Sequence, residues 1–200
     1  MTESTREFVA ATIAPIQAGY LRSPQSSRSR ADLAKLRRGV GQEAGTVPEI
    51  LYLTMNPDDR WSKGYEGPTP DERAIHLALT LYAVHQQSQH RAMHVADRSF
   101  GAALGRLRYT DGQENPGVLR RFQALGTATD LHETAEHARA LITLLRRAGI
   151  GFDYGRFAQD LVLLQLPAHS DAVRLVWGRD FYQVRETAPG TTDTTIEESA

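Results

Sequence analysis

Two hundred residues with 40% apolar content can bury one sizeable core or two small ones, and a formal charge of -1 conceals 23 basic residues. Only Lys35 and Lys63 among these are lysine, and the absence of cysteine excludes disulfides, thiolate metal sites and cysteine nucleophiles. No apolar run approaches about 18 residues and MTESTREFVA lacks the features of a signal peptide, so a cytoplasmic protein without membrane contact is expected.

Ser4 with Glu7 marks the first helix start, a capping oxygen three residues before a carboxylate. The stretch that follows, Arg22 to Arg38, sets Arg22, Arg28, Arg30, Lys35, Arg37 and Arg38 against the single carboxylate Asp32, a composition that suits a phosphate backbone. Ser29 with Asp32 predicts a second helix start and Gly39 its end, and Thr46 with Glu49 predicts a third start. Residues 31–53 could be read as helix, turn, helix, the signature of a stand-alone transcription regulator, but Gly39 to Thr46 is long and glycine-rich for such a turn. After a loop from Gly64, Thr69 with Glu72 opens a segment to Gln87 that is apolar over most of its circumference, which predicts a central helix.

His85, His90 and His94 lie near the end of that segment, with His90 and His94 at i, i+4 spacing. Arg91 occupies the position where a zincin carries glutamate, so no metal site is expected. The turn-rich stretch Tyr109 to Gly117 then separates an N-terminal helical set, 4–110, from a C-terminal one, 115–183. Asn115-Pro116 starts the next helix, and Arg120 with Arg121 follows by about one turn, where the helix dipole mildly disfavours positive charge. Stability alone gives no reason for that pair.

Thr129 predicts a start for a helix whose stripe is Leu131, Ala135, Ala138, Leu141, Ile142 and Leu145, with Arg146 and Arg147 in its last turn before Gly149. Asp153 and Ser170 are further N-cap candidates, and Pro167 marks an end after Leu166. The stretch from Gln183 to Ala200 carries one base and four acids, leaving 22 basic and 20 acidic residues in the body, and reads as a disordered acidic tail over 184–200. The fold class expected is all-α, two small helical bundles joined by a short loop. No G-x-S-x-G, P-loop or G-x-G-x-x-G occurs, no cofactor is implied, and no carboxylate pair suggests acid/base work. The candidate nucleic-acid contacts are Lys35, Arg37, Arg38, Arg106, Arg108, Arg120, Arg121, Arg146 and Arg147. These arginines could instead meet acidic protein surfaces.

Several segments, in order, carry a resemblance: Leu33-Ala34-Lys35-Leu36-Arg37-Arg38-Gly39, Leu77 to Gln86, Ser99 to Leu104, Arg120-Arg121-Phe122 and Trp177-Gly178-Arg179-Asp180-Phe181-Tyr182. Together they resemble the CasB family, the small subunit of the type I-E CRISPR surveillance complex Cascade, over roughly residues 5–183. The resemblance implies an all-helical, non-catalytic protein present in more than one copy. It implies contacts with the backbone and large subunits, another copy of itself, the guide RNA, and target DNA including the displaced strand. Arg37, Arg38, Arg120 and Arg121 lie in matching segments, whereas Arg106, Arg108, Arg146 and Arg147 rest on charge alone. Trp177, Phe181 and Tyr182 are expected in the core, and Arg179 with Asp180 as an ion pair or a ligand contact.

Overall fold

A computed structural model describes residues 4–57, 66–110 and 113–184. The first helix, α1 (Thr5–Leu21), carries the expected capping box, Glu7 N–H donating to the Ser4 hydroxyl at 3.3 Å and Ser4 N–H to the Glu7 carboxylate at 3.0 Å. Its inward stripe is Val9, Ile13 and Ile16. The second, α2 (Ser27–Arg38), is capped by Ser26 rather than Ser29; Ser29 falls one turn inside and is buried against Gly19, where any β-carbon would collide with its hydroxyl. Thr46 caps nothing: a 3-10 turn at Pro48–Ile50 leads into the single-turn helix α3 (Leu51–Thr54).

Helix α4 (Pro70–Gln86) starts from the Thr69–Glu72 capping box and buries eleven of its seventeen residues, so it is the central element that its all-round apolar pattern predicts. It stops at Gln86. His90 and His94 therefore lie beyond the helix and do not share the helical i, i+4 geometry. After α5 (Phe100–Leu107) the turn-rich stretch forms a small antiparallel hairpin, β1 (Tyr109–Thr110) with β2 (Gln113–Glu114). Four helices follow, α6 (Pro116–Thr127), α7 (Leu131–Ala148), α8 (Tyr154–Leu164) and α9 (Pro167–Gln183). Asp130 rather than Thr129 caps α7, while Thr129 N–H donates to Glu133. Pro167 is the first residue of α9, where its missing N–H costs nothing, so it opens a helix instead of closing one. The segment 185–200 lies outside the described residues, and with it the expectation of a disordered tail.

The helices of the two sets interlock. Helix α8 returns to pack on α1 and α4, α7 also meets α4, and α5 is covered by α9. One cluster of buried apolar side chains runs through all of them. At its centre Phe100, Phe152, Phe157 and Trp177 make ring contacts, with centroids of Phe100 and Trp177 5.4 Å apart, and Tyr154 meets Tyr82 edge-on at 5.3 Å. Gly101 and Gly105 let α5 approach the α9 backbone: a β-carbon at Gly105 would lie 2.6 Å from the Phe181 carbonyl oxygen, and one at Gly101 would strike the Trp177 carbonyl. Trp177 and Phe181 are buried as expected, but Tyr182 is half exposed because it sits one residue past the inward stripe.

The three singled-out histidines are largely structural. His85 is buried with Nδ1 3.0 Å from the Tyr154 hydroxyl, and burial pushes its pKa down to about 3. His94 Nδ1 accepts from Tyr154 N–H at 3.1 Å, and burial lowers its pKa too. Only His90 is exposed. Among the described residues no helix is long and apolar enough to cross a membrane.

Candidate nucleic-acid interface

Helix α2 places Lys35, Arg37 and Arg38 in its last turn, where the unsatisfied carbonyls favour cations. Successive side chains diverge by about 100°, so the three meet different surroundings. Arg38 is taken: its Nε and Nη2 each donate to Glu49 at 2.7 Å, and this pairing holds the Glu49 carboxyl below its usual range. Lys35 is also engaged, its Nζ 5.2 Å from the centroid of the Tyr52 ring. That phenol donates to the buried Asp32 carboxylate, and burial followed by this bond pushes its pKa up to about 12.

Arg37 faces elsewhere. With Arg30, two helical turns earlier on the same face, it lines an open groove of about 520 Å³ between α1, α2 and the end of α4. Tyr20, Gln25, Ser27, Gln87 and Ser88 supply hydroxyls and amides, and no carboxylate lines the groove. Partial burial lowers the Arg37 pKa without discharging a guanidinium. The groove is a cationic channel with neutral hydrogen-bonding walls. Arg30 is absent from the sequence-based set, although its i, i+7 spacing from Arg37 signals the shared face.

Arg146 reaches the same region from α7. Its Nη1 donates to the Val84 carbonyl at 3.3 Å and to Gln87 Oε1 at 3.2 Å, so it pins a groove residue instead of projecting into solvent. Arg147 is exposed, with no partner among the described residues. Gly149 takes φ 65° as the left-handed cap of α7, and the Arg91 guanidinium lies over it, 3.3 Å from where a β-carbon would stand.

Around α5, α6 and α9 the pattern repeats: one arginine engaged, others open. Arg108 donates from Nε to Glu114 at 2.6 Å and lies against the rings of Tyr109, Phe181 and Tyr182, which makes it a clasp between the hairpin and α9. Arg106 is exposed on α5, close enough to Arg98 that its charge helps burial lower the Arg98 pKa. On α6 both Arg120 and Arg121 are exposed and face no carboxylate among the described residues; there Arg121 Nη1 donates only to the Gly117 carbonyl, at 3.0 Å. The paired groups at 179 and 180 separate as well. Asp180 turns inward to Arg156 at 3.2 Å, leaving Arg179 exposed and without a partner among the described residues.

Of the nine candidates, then, the structure brings Arg37 alone to the groove, commits Lys35, Arg38, Arg108 and Arg146 to protein contacts, the last through the groove residue Gln87, and leaves Arg106, Arg120, Arg121 and Arg147 exposed. Among the described residues no group of three His, Asp or Glu side chains could hold a metal ion.

Comparison with known proteins places the fold. A comparison with curated proteins finds no match. Among solved structures, CasB from Thermobifida fusca is 33% identical, with 89% of this chain and 97% of that chain covered and a TM-score of 0.74. CasB from Thermus thermophilus, at 19% identity, shares the fold with a TM-score of 0.62 over 90% of this chain and 96% of that one. A chain of a CRISPR RNA-guided surveillance complex does so at 20% identity and a TM-score of 0.64, covering 90% and 94%. The model of the CRISPR-associated protein Cse2 family matches residues 32–182, which spans every helix from the body of α2 to α9, and the chain belongs to that family.

Proposed function

We propose that the chain is the non-catalytic small subunit of a type I-E CRISPR surveillance complex, Cascade, and that it holds nucleic-acid backbone through exposed arginines. Family membership and the likeness in fold to a chain of a surveillance complex support the first part. The second rests on one observation: the groove carrying Arg30 and Arg37 is cationic, lined by hydroxyls and amides, and free of carboxylates. Such a surface binds phosphates without reading bases. The shifted groups His85 and Tyr154 are buried in the core and Asp160, partly buried, accepts from Trp177 Nε1, so each serves packing, which favours binding over chemistry.

In this role the subunit meets the backbone and large subunits, another copy of itself, the guide RNA, and target DNA with its displaced strand. Exchange of a DNA duplex for a guide RNA heteroduplex is nearly balanced in energy, so a few guanidinium contacts to the released strand shift it toward the R-loop. The reading as a transcription regulator loses ground to α3, which at four residues is too short to serve as a recognition helix.

The test is fluorescence anisotropy of the purified protein with single-stranded DNA, duplex DNA and RNA over a salt series, followed by R-loop lifetime in the assembled complex. Sequence-independent binding whose salt slope is about 0.7 per neutralised phosphate on single strands is expected. Salt-insensitive DNA binding beside tight association with the other subunits would replace it with a purely protein-contacting role.

A further inference from the structure

The loop that follows α4 forms one wall of the groove that holds Arg30 and Arg37, and ties from three helices fix it. From α7, Arg146 Nη1 bonds Gln87 Oε1 at 3.2 Å and the Val84 carbonyl as well. From α1, the Tyr20 hydroxyl accepts from Ser88 N–H at 3.3 Å. At the end of α4, Gln86 Nε2 donates to the carbonyls of Gln89 and Arg91 at 3.3 and 3.0 Å. Between these ties Ser88 takes φ 61°, a left-handed conformation that a residue with a side chain keeps only where its surroundings enforce it. Strain of this kind collects at binding sites, and here it lies on the rim of the groove.

The ties decide which hydrogen-bonding groups remain for a ligand. A guanidinium has donors only, so the Gln87 atom bonded to Arg146 is the carbonyl oxygen, and both amide N–H groups are left over. Likewise Ser88 N–H takes a lone pair of the Tyr20 oxygen and leaves that hydroxyl its proton. Among the described residues neither the Gln87 N–H groups nor the Tyr20 O–H has an acceptor, and neither Arg30 nor Arg37 has a carboxylate. Tyr20 stands close enough to Arg37 for the phenol to act on its charge. The groups fixed in the groove are therefore donors, and the hydroxyls of Ser27 and Ser88 can turn to add theirs. A base edge presents donors beside acceptors and would leave its own donors unmet there, whereas a phosphate presents acceptors alone. Arg30 and Arg37 lie about 10 Å apart along α2, a span that suits a polymer of phosphates better than one carboxylate.

Resting on the nucleic-acid reading above, we propose that Gln87 and Tyr20 join Arg37 in donating to the phosphate oxygens of one strand. Arg146 is then a positioning residue that never meets the strand. It works at one remove: an amide can present either end to a ligand, and the bond from Arg146 makes Gln87 present only its N–H groups. Tyr20 is turned in the same way by the strained Ser88 backbone. The cradle recognises phosphate through hydrogen-bond polarity as well as charge, so part of its affinity survives when salt screens the guanidinium groups.

Fluorescence anisotropy of the full chain with labelled oligothymidine over a salt series separates the roles. Arg37→Ala, which removes a charged contact, should lower the affinity and also the salt slope, the latter by about 0.7. Arg146→Met, Gln87→Ala and Tyr20→Phe should each weaken binding about fivefold, the loss of one hydrogen bond, with the slope unchanged. Arg146→Met combined with Gln87→Ala should lose no more than either alone, because both remove the same contact. In the parent protein, the side-chain amide NMR signals that are missing from Gln87→Ala should shift as oligothymidine is added. A slope lowered by about 0.7 in Arg146→Met, losses that add in the double variant, or full affinity in Gln87→Ala overturns the proposal. So does equal affinity for polyglutamate of matched charge, which would assign the groove to acidic protein surfaces. Binding lost in Arg37→Ala but kept in the other variants would leave the nucleic-acid reading standing without this one, and a parent protein that binds no oligothymidine at low salt overturns both.

Discussion

Arg37 and Arg38 are adjacent in the chain and opposite in employment: Arg38 is clamped by two 2.7 Å hydrogen bonds to Glu49, while Arg37 lines a groove without a single carboxylate. Arg37→Ala should therefore weaken single-stranded DNA binding and lower the salt slope by about 0.7, the loss of one phosphate contact. Arg38→Ala should leave the slope unchanged and only loosen the loop bearing Glu49. Anisotropy of both variants over a salt series decides, and equal losses would show that the groove has no special standing.

Among the described residues Arg120 and Arg121 carry no load in the fold beyond one bond to the Gly117 carbonyl. The double alanine variant should keep its helicity and melt within a few degrees of the parent, consistent with surface positions. In the assembled complex it should shorten R-loop lifetime several-fold. A melting point lowered as much as for a core substitution would assign the pair to stability instead.

Two glycines in neighbouring helices predict opposite outcomes. Gly101→Ala drives a β-carbon into the α9 backbone at Trp177, which cannot rotate away, and should cost about 1–3 kcal/mol or more. Gly178→Ala adds a methyl group to open space within a helix and should stabilise by about 0.5–1 kcal/mol. Urea denaturation of the two variants measures both; a destabilised Gly178→Ala protein would mean that the outer face of α9 is already covered.

The buried titratable groups set the acid response. Burial lowers the pKa of His76, His85 and His94, so below about pH 6.5 the unfolded chain binds protons that the native one refuses. Stability should fall by about 1.4 kcal/mol per pH unit for each such histidine until its native pKa is reached, about 3 for His85. Asp160 acts in the opposite sense: burial raises it to about 6, so its native form keeps a proton that the unfolded form has lost, and its contribution grows as pH falls through 6. Urea midpoints at pH 7.5 and 5.5 should therefore drop, three groups against one, and drop further in Asp160→Asn. A rise on acidification would contradict the assignment.

Most of the helical frame is legible in the sequence because its signals are local. Ser4 with Glu7, Thr69 with Glu72, and Asn115 with Pro116 are complete capping units within four residues, and the structure uses each of them. Where two capping residues compete within one turn, as Ser26 with Ser29 and Thr129 with Asp130, composition cannot choose; burial against Gly19 decides the first case. Arginine partners are illegible for a different reason. Glu49 lies eleven residues from Arg38 along a loop, and the Val84 carbonyl lies sixty-two from Arg146, so which guanidinium is occupied depends on tertiary placement. Asp180 chooses Arg156 over its neighbour because adjacent helical residues point apart, a rule that sequence proximity obscures.

Helix α8 places a constraint on when this protein can acquire its shape. The first helix rests on residues 154–164 and is tied at its start by Arg6 to Asp153, 147 positions away, at 3.1 Å. During synthesis, α1 and α4 must wait with apolar flanks uncovered until most of the chain has left the ribosome. The long separation between partners makes folding slower than in a simple up-and-down bundle, and it makes completion late and abrupt. A chain halted before α8 has the helices of a finished N-terminal half without the wall they lean on.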